Sequence, residues 1–323
     1  MTHIESNAFY GCCSLTTIVV DETNSFYDSR EDCNAIIKTV DNELIQGCLT
    51  TVIPNSVMSI GDCAFSTFSN LTSIIIPNSV INIGSNAFSG CSGLSSIIIP
   101  NSVINIGSSA FAYCLGLSSI TIPNSVISVE SFTFEGCTGL TSIIIPNSVT
   151  SIGFGAFQNC TGLKSVTIGK SVEYIDVYAF YNTNISTVIS LIDNPFVIPS
   201  SSGFEAFSQY TFNNAILYIP AGTIDKYKAT VGWKDFVHIV EGTDNTDGLF
   251  CVSNQTLLFE SSEGILTVFG AEVGTPIYIY DTSGKMVGSA KAGEGITTIR
   301  TPFRSRDICI AKVGEKIVKV FTK

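Results

Sequence analysis

The sequence predicts a mainly β chain, in which a solenoid of 23-residue repeats is followed by a small antiparallel β-sandwich. Three observations lead to this prediction. The octapeptide Ser-Ile-Ile-Ile-Pro-Asn-Ser-Val occurs at residues 73–80, 96–103 and 142–149. From residue 249 onward the repeats give way to short alternating apolar segments separated by turn residues. Phenylalanine recurs every 23 residues, at Phe65, Phe88, Phe111, Phe134, Phe157 and Phe180.

Each repeat reads as a short strand, a turn and a buried aromatic segment. In residues 94–111 the apolar series Leu94, Ile97 and Ile99 has the alternation of a strand whose every second side chain faces inward. Pro100 ends the strand because it has no N–H to donate. A period between about 20 and 29 residues with one short strand per unit is typical of a leucine-rich-repeat solenoid.

Cysteine forms a second periodic column, three residues after the phenylalanines. Phe68 and Thr183 occupy the equivalent place in other repeats, so we interpret these cysteines as small hydrophobic core residues with free thiols. Parallel stacked Cβ vectors are a poor geometry for disulfides, and the spacing of the eleven cysteines does not follow a zinc pattern. The column consists of Cys91, Cys114, Cys137 and Cys160.

Composition argues against several classes of function. A net charge of −11 disfavours nucleic acid as a partner, and no apolar run approaches the roughly 18 residues of a membrane span. The two histidines, His3 and His238, lie in no pattern typical of a nucleophile and its base. Residues 244–248 lack the alternating ligands of a calcium loop and read as linker. We predict a non-enzymatic protein without catalytic residues, metal or cofactor.

The departures from the repeat predict the domain organisation. Residues 1–240 form the solenoid, with an irregular acidic insertion at 21–48 that we expect to extend from one face as a hairpin or loop. Residues 191–240 form a C-terminal cap with a short helix at 223–231, and 241–248 form a linker. Residues 249–323 form the β-sandwich, for which we predict an immunoglobulin-like fold. Because residues 3–15 match 82–94 in register, we expect upstream sequence, including an export signal, to be absent from this chain.

The outward side chains of the repeat strands are the candidate partner-binding strip. Serine and β-branched residues alternate there with the inward columns. Strand propensity alone would also favour β-branched residues, so both a structural and a binding interpretation stay open. The strip comprises Ser73, Ile75, Ser96, Ile98, Ser119, Thr121, Ser142, Ile144, Ser165 and Thr167.

The repeat Ile-Pro-Asn-Ser-Val-x-x-Ile-Gly-x-x-Ala-Phe-x-x-Cys-x-x-Leu resembles the BspA-type leucine-rich repeat of bacterial surface proteins, over about residues 1–240. The resemblance implies a secreted or surface-attached protein that binds an extracellular or host protein, without catalytic residues. The segment from Ile277 to Lys323 is similar to the C-terminal sorting domains of Bacteroidetes secretion systems. A plain immunoglobulin-like accessory domain is the alternative for this segment.

A glycan-binding component of a bacterial nutrient-capture system is the competing hypothesis for function. Such a protein should carry clustered exposed aromatic side chains, which pack against sugar rings. The candidates are Tyr10, Tyr27, Tyr113, Tyr178 and Tyr181.

Overall fold

The computed structural model describes residues 2–5, 8–9, 11–242, 258–262, 265–269, 271, 273–281, 285–293, 296–302, 308–313 and 316–321. The chain divides into two compact units, Met1–Glu241 and Gly242–Lys323, and each is described by itself. Most of the predicted linker at 241–248 lies outside the described residues.

The first unit is built from short strands. In chain order they are β1 (Tyr27–Asp28), β2 (Ile36–Lys38), β3 (Glu43–Gln46), β4 (Ser59–Ile60), β5 (Asn82–Ile83), β6 (Asn105–Ile106), β7 (Ser128–Val129), β8 (Ser142–Ile145), β9 (Ser151–Ile152), β10 (Ser165–Ile168), β11 (Tyr174–Ile175), β12 (Thr187–Ser190), β13 (Ser200–Ser201), β14 (Phe204–Glu205), β15 (Ile216–Ile219) and β16 (His238–Glu241). The helices are α1 (Gln209–Asn214) and α2 (Ile224–Ala229), with single 3-10 turns at Arg30–Asp32 and Trp233–Asp235.

Residues one period apart lie side by side in parallel sheets. β8 and β10 pair Ser142 with Ser165, and β5 and β6 pair Ile83 with Ile106. The sheet orders are β1-β2-β3-β4-β5-β6, β11-β9-β7 and β16-β15-β12-β10-β8, with β13 and β14 forming a separate pair. The 23-residue period therefore equals one turn of a solenoid, as the sequence predicted.

The strands predicted at 73–76, 96–99 and 119–122 are less regular than expected. Only an isolated bridge between Ser96 and Ser119 joins them. A proline follows each of these segments and removes a ladder donor. Gly169 stands in the proline position after β10, and Leu191 follows β12, where its N–H donates to the carbonyl of Ile168 at 2.9 Å. β8 and β15 also form full ladders although Pro146 and Pro220 follow them, so proline alone does not decide where the ladder is regular.

The phenylalanine column is the centre of the core, as predicted. Phe65, Phe88 and Phe111 are fully buried, and their rings stack with centroids 5.1 and 5.4 Å apart. The stack continues through Phe134, Phe157 and Phe180 to Phe207. Backbone bonds also join these segments: the N–H of Phe88 donates to the carbonyl of Ala110 at 2.8 Å. Side-chain and backbone ladders thus hold successive repeats in register.

The cysteine column is buried and its thiols are free, as predicted. Each thiol also donates to a phenylalanine carbonyl of the preceding repeat; Cys91 Sγ lies 3.1 Å from Phe65 O, and Cys160 Sγ lies 3.0 Å from Phe134 O. Burial raises the pKa of the Cys91 thiol to about 12. It also raises the pKa values of the other three, Cys114, Cys137 and Cys160. These thiols therefore satisfy backbone acceptors as well as filling space.

The insertion at 21–48 packs against the solenoid, so the expectation that it extends from one face is wrong. β1, β2 and β3 form an antiparallel meander. β3 also pairs in parallel with β4, which joins the meander to the sheet of the solenoid. The insertion carries its own apolar residues, and Ile37 and Leu44 are fully buried in the common core. Asp28 and Arg30 form an ion pair at 2.6 Å, and the bond from Arg30 holds the pKa of Asp28 below its usual value.

The C-terminal cap closes over a set of buried aromatic side chains. The helix predicted at 223–231 spans Ile224–Ala229, whereas α1 was not predicted from the sequence. Trp233 is fully buried, and its Nε1 donates to the carbonyl of Phe196 at 2.8 Å. The hydroxyl of Tyr227 donates to the carbonyl of Ile192 at the same distance. Each buried polar group of these two rings thus has a partner.

The second unit contains two antiparallel sheets. Its strands are β17 (Leu258–Ser262), β18 (Ile265–Phe269), β19 (Pro276–Asp281), β20 (Met286–Lys291), β21 (Ile296–Arg300), β22 (Ile308–Val313) and β23 (Lys316–Phe321). The sheet orders are β17-β18-β21 and β20-β19-β22-β23. Leu266 and Ile299 of one sheet share a core with Ile277, Ile279 and Ala311 of the other. β20 was missed from sequence, and the immunoglobulin-like fold stays a prediction.

Candidate binding surface

The outward side chains of the repeat segments stand between two buried columns. Ile74 and Ile76 are buried at 9% and 6% exposure, whereas Ile75 between them is 85% exposed. The same alternation exposes Ile98 at 78%. The period-2 pattern predicted this arrangement, because successive side chains of an extended segment point to opposite faces.

Exposure falls along the predicted strip toward its C-terminal end. Ser73, Ser96, Ser119 and Thr121 are exposed, as are Ile75 and Ile98, while Ser142, Ile144 and Ser165 are half-buried. Thr167 is only 5% exposed, so its assignment to an accessible strip is wrong. It lies between Ile144 and Ile189 on its two paired strands, and Ile189 is itself buried. The accessible part is therefore the half built by the earlier repeats.

Two further residues belong to the same outward column. Val52 lies one period before Ile75 and is 72% exposed. Val19 occupies the equivalent position in the first segment, where Leu15, Ile18 and Val20 repeat the apolar pattern, and it is 80% exposed. The 23-residue period that places Ile75 and Ile98 on the outward face also places Val52 there, one repeat earlier. We call Val19, Val52, Ile75 and Ile98 the aliphatic strip.

The repeats that carry Ile75 and Ile98 have few charges, whereas Val52 lies beside the acidic insertion, where its N–H donates to the carbonyl of Cys33. The sequence has no lysine or arginine between Lys38 and Lys164, and its only carboxylates at 51–163 are Asp62, Glu130 and Glu135. Ser73 and Ser96 are exposed two residues before Ile75 and Ile98, on the same outward face. Apolar surface rimmed by small hydroxyls, without cations, suits an uncharged contact surface.

The described titratable groups do not suggest a reaction. His3 is exposed and lies 2.9 Å from Glu5, and His238 stands on β16. The buried thiols have raised pKa values, which makes them poor nucleophiles. Within the described ranges, no group of three or more histidine, cysteine, aspartate or glutamate residues could hold a metal. Nor does any described helix have the length and hydropathy to cross a membrane.

The predicted aromatic candidates separate into three groups. Tyr27 is buried, where its hydroxyl accepts from the N–H of Ile4, and Tyr10 lies outside the described residues. Tyr178 and Tyr181 are neighbours, with centroids 5.1 Å apart. Tyr113 is 48% exposed, and its hydroxyl donates to Glu135 at 2.9 Å.

The fold and its surface define a class of protein: a parallel β-solenoid of 23-residue leucine-rich repeats with an exposed outward strip. The chain belongs to the BspA type leucine-rich repeat family, whose pattern matches in six copies over residues 1–36, 38–138 and 82–218. Comparison with curated proteins gives no significant match.

Solved structures of bacterial leucine-rich repeat proteins are similar to this chain. A T. pallidum leucine-rich repeat protein is 25% identical, with 61% of this chain and 86% of that one covered and a TM-score of 0.42. A leucine-rich repeat protein from Eubacterium ventriosum is 24% identical, covering 58% and 54%, with a TM-score of 0.50. A leucine rich cell surface protein from Faecalibacterium prausnitzii is 24% identical, covering 77% and 60%, with a TM-score of 0.44. The Eubacterium structure supports the fold.

Proposed function

We propose that this protein is a non-enzymatic binding protein of the bacterial surface, which binds an extracellular protein, including a host protein, through its aliphatic strip. The observation that carries the proposal is the exposure of Val52, Ile75 and Ile98 at 72–85% in one continuous column. Soluble proteins seldom leave contiguous large aliphatic side chains in water unless the surface is a contact site. Family membership supports the surface location.

Strand propensity accounts for only part of this column. It would favour β-branched residues, but threonine satisfies it equally well and keeps a polar group in water, as at Thr121. Val52, Ile75 and Ile98 are aliphatic instead. Covering one such side chain completely would contribute roughly 1.5–3 kcal/mol to binding.

A protein partner fits the surface better than an ionic ligand. The lack of lysine and arginine at 39–163 leaves no cation there to recognise a phosphate, sulfate or nucleic acid. A flat row of aliphatic side chains bordered by serine hydroxyls matches an apolar protein surface with a polar rim. The C-terminal unit would then serve export or attachment, as a sorting or accessory domain.

The test is the double substitution Ile75→Glu and Ile98→Glu in the full chain. Binding to immobilised extracellular matrix and bacterial surface proteins would be measured by surface plasmon resonance. Losing two aliphatic contacts should weaken binding by about a hundredfold or more. Both positions are exposed, so the melting temperature should change little.

The double substitution Ile104→Glu and Ile127→Glu is the matched control, because these residues are 46% and 62% exposed and precede β6 and β7 on a different segment of the repeat. It adds the same two charges without touching the aliphatic strip. Full binding by the Ile75→Glu and Ile98→Glu variant would remove the strip as the contact surface. Equal losses in the two double variants would show an effect of charge alone.

A further inference from the structure

We propose that the solenoid carries a second binding site, on its phenylalanine side, which takes an uncharged saccharide chain. The site is the aromatic row, defined as Tyr113, Phe132, Phe154, Tyr178 and Tyr181. These residues lie in the turns around the buried phenylalanine column, a different segment of each repeat from the aliphatic strip. The proposal is independent of the protein-binding function above.

The structure brings four of these rings, Phe132, Phe154, Tyr178 and Tyr181, together across successive repeats. Phe132 and Phe154 have centroids 5.1 Å apart, and Phe154 and Tyr178 are 5.4 Å apart. Their planes meet at 74° and 79°, and Tyr181 extends the row from Tyr178. Phe132 and Phe154 were not among the aromatic candidates predicted from the sequence, because spacing along the chain hides their contacts. All of these side chains remain partly accessible.

Three of these aromatic residues have a left-handed backbone. Tyr113, Phe132 and Tyr178 have φ angles of 58°, 58° and 61°. They occupy the positions two residues before or after a buried phenylalanine, where the other left-handed residues have small or amide side chains and none has an aromatic ring. These equivalents are Asn86, Gly90, Gly136, Gly155, Asn159, Asn182, Cys63, Thr67 and Ser109.

A bulky side chain in this conformation is unfavourable relative to glycine or asparagine. The repeat pattern offers both of these residues at the same positions, so packing does not require the three aromatic rings. Strained residues of this kind occur preferentially at binding sites. The backbone thus points to a function for the rings beyond the fold.

Two glycines of the following repeats make room for the rings. A Cβ atom on Gly136 would lie 2.6 Å from Cδ1 of Tyr113, and one on Gly155 would lie 2.7 Å from Cε1 of Phe132. Each ring therefore lies against bare backbone of the next repeat. The bond from the Tyr113 hydroxyl to Glu135 fixes the first ring further, and the hydroxyl of Tyr178 donates to the carbonyl of Gly203. The aromatic row is thus held in place before a ligand binds.

The chemistry around the aromatic row favours a neutral sugar. Aromatic rings pack against the C–H faces of sugar rings, and nearby carboxylate and amide groups can bond their hydroxyls. Glu135 provides a carboxylate, and the amides of Asn159 and Asn182 are paired at 2.8 Å beside the row. The turns that carry the aromatic row, at 107–116, 130–139, 153–162 and 176–185, contain no lysine or arginine, which disfavours sulfated or uronic-acid chains. Uncharged polysaccharides, which are rich in hydroxyl groups, are therefore the class of ligand that fits the aromatic row.

The test is affinity electrophoresis of the full chain in native gels containing laminarin, xylan, mannan or dextran. The wild-type chain should be retarded by at least one of these polysaccharides. The double variant Phe132→Asn and Tyr178→Asn introduces a residue that tolerates the left-handed backbone, so it should fold. Loss of two rings should weaken retardation by about tenfold or more. Tyr113→Asn, which changes one ring of the row, should weaken it partly.

The Ile75→Glu and Ile98→Glu variant is the control, and it should bind the polysaccharide fully. The proposal is overturned if none of the four polysaccharides retards the wild-type chain, or if retardation survives both ring substitutions in folded protein. Retardation by heparin alone would also overturn it. Loss of a protein partner in the ring variants, without any polysaccharide binding, would reassign the aromatic row to protein contact.

Discussion

The buried thiol column should make the solenoid unstable at alkaline pH. Cys91 and Cys114 stay protonated in the folded state, because burial raises their pKa values, to about 12 for Cys91. In the unfolded chain a thiol ionises near pH 8.5. A group whose pKa is raised by folding contributes stability below the unfolded pKa and loses it as the pH rises toward the folded pKa. The window of loss therefore begins near pH 8.5.

The size of the effect follows from the linkage relation. At pH 10.5 an unfolded thiol lies two pH units above its pKa, so each thiol that stays protonated in the fold lowers the free energy of unfolding by about 2.7 kcal/mol. Two such thiols approach about 5 kcal/mol, which is comparable with the whole stability of many domains. The expected loss is therefore large enough to measure.

Urea unfolding of the full chain between pH 7.5 and 10.5, with a reductant present, would measure this loss. Tyrosine and lysine also titrate in this range, so the informative quantity is the difference between wild type and Cys114→Thr. Threonine does not titrate, and Thr183 already fills the equivalent position, where its hydroxyl donates to the carbonyl of Phe180. The variant should lose about 2.7 kcal/mol less than wild type over this range. Parallel pH profiles for the two proteins would refute a buried, protonated Cys114.

Two further predictions concern the core and the cap. Phe111→Ala should lower the free energy of unfolding by about 3–5 kcal/mol, because it leaves a cavity in the phenylalanine stack. Phe204→Ala is the control: this residue is 64% exposed, so the free energy of unfolding should change by less than about 0.5 kcal/mol. Equal denaturation midpoints for these two variants would contradict the column assignment. Gly232→Ala should destabilise the cap by about 2 kcal/mol or more, because φ is 88° and the new Cβ would lie 2.5 Å from the Ile198 carbonyl oxygen. Gly222→Ala, with φ 75° and open space around it, should cost only about 1 kcal/mol in thermal or urea unfolding.

The solenoid could be predicted from the sequence because equivalent positions of its repeats can be compared with one another. A column that always holds phenylalanine, such as the one containing Phe88 and Phe111, must be buried, while a column that accepts methionine, threonine and glutamate faces water. Comparing repeats thus separates inside from outside without any tertiary information. The insertion at 21–48 offers no internal comparison, which is why its packing onto β4 was not predicted.

The candidate site was predicted in part for the same reason. The period placed Ile75 and Ile98 on the outward face, but it could not show that Thr167 would be covered by its neighbours on β8 and β12. The exposure of a side chain depends on the residues that lie beside it in space. Where the repeats become irregular, the repeat pattern no longer predicts which residues those are. The same limit hid the contacts of Phe132 and Phe154.

The sequence by itself determined the period, the inward columns and the turn at each Pro-Asn-Ser-Val. These are local or periodic properties, and the same residue pattern occurs in every regular repeat. The tertiary structure alone decided which outward residues stay in water, which carbonyl each thiol meets and where the aromatic row assembles. These features arise from contacts between side chains about one period apart, and stacking in three dimensions brings such residues to about 5 Å.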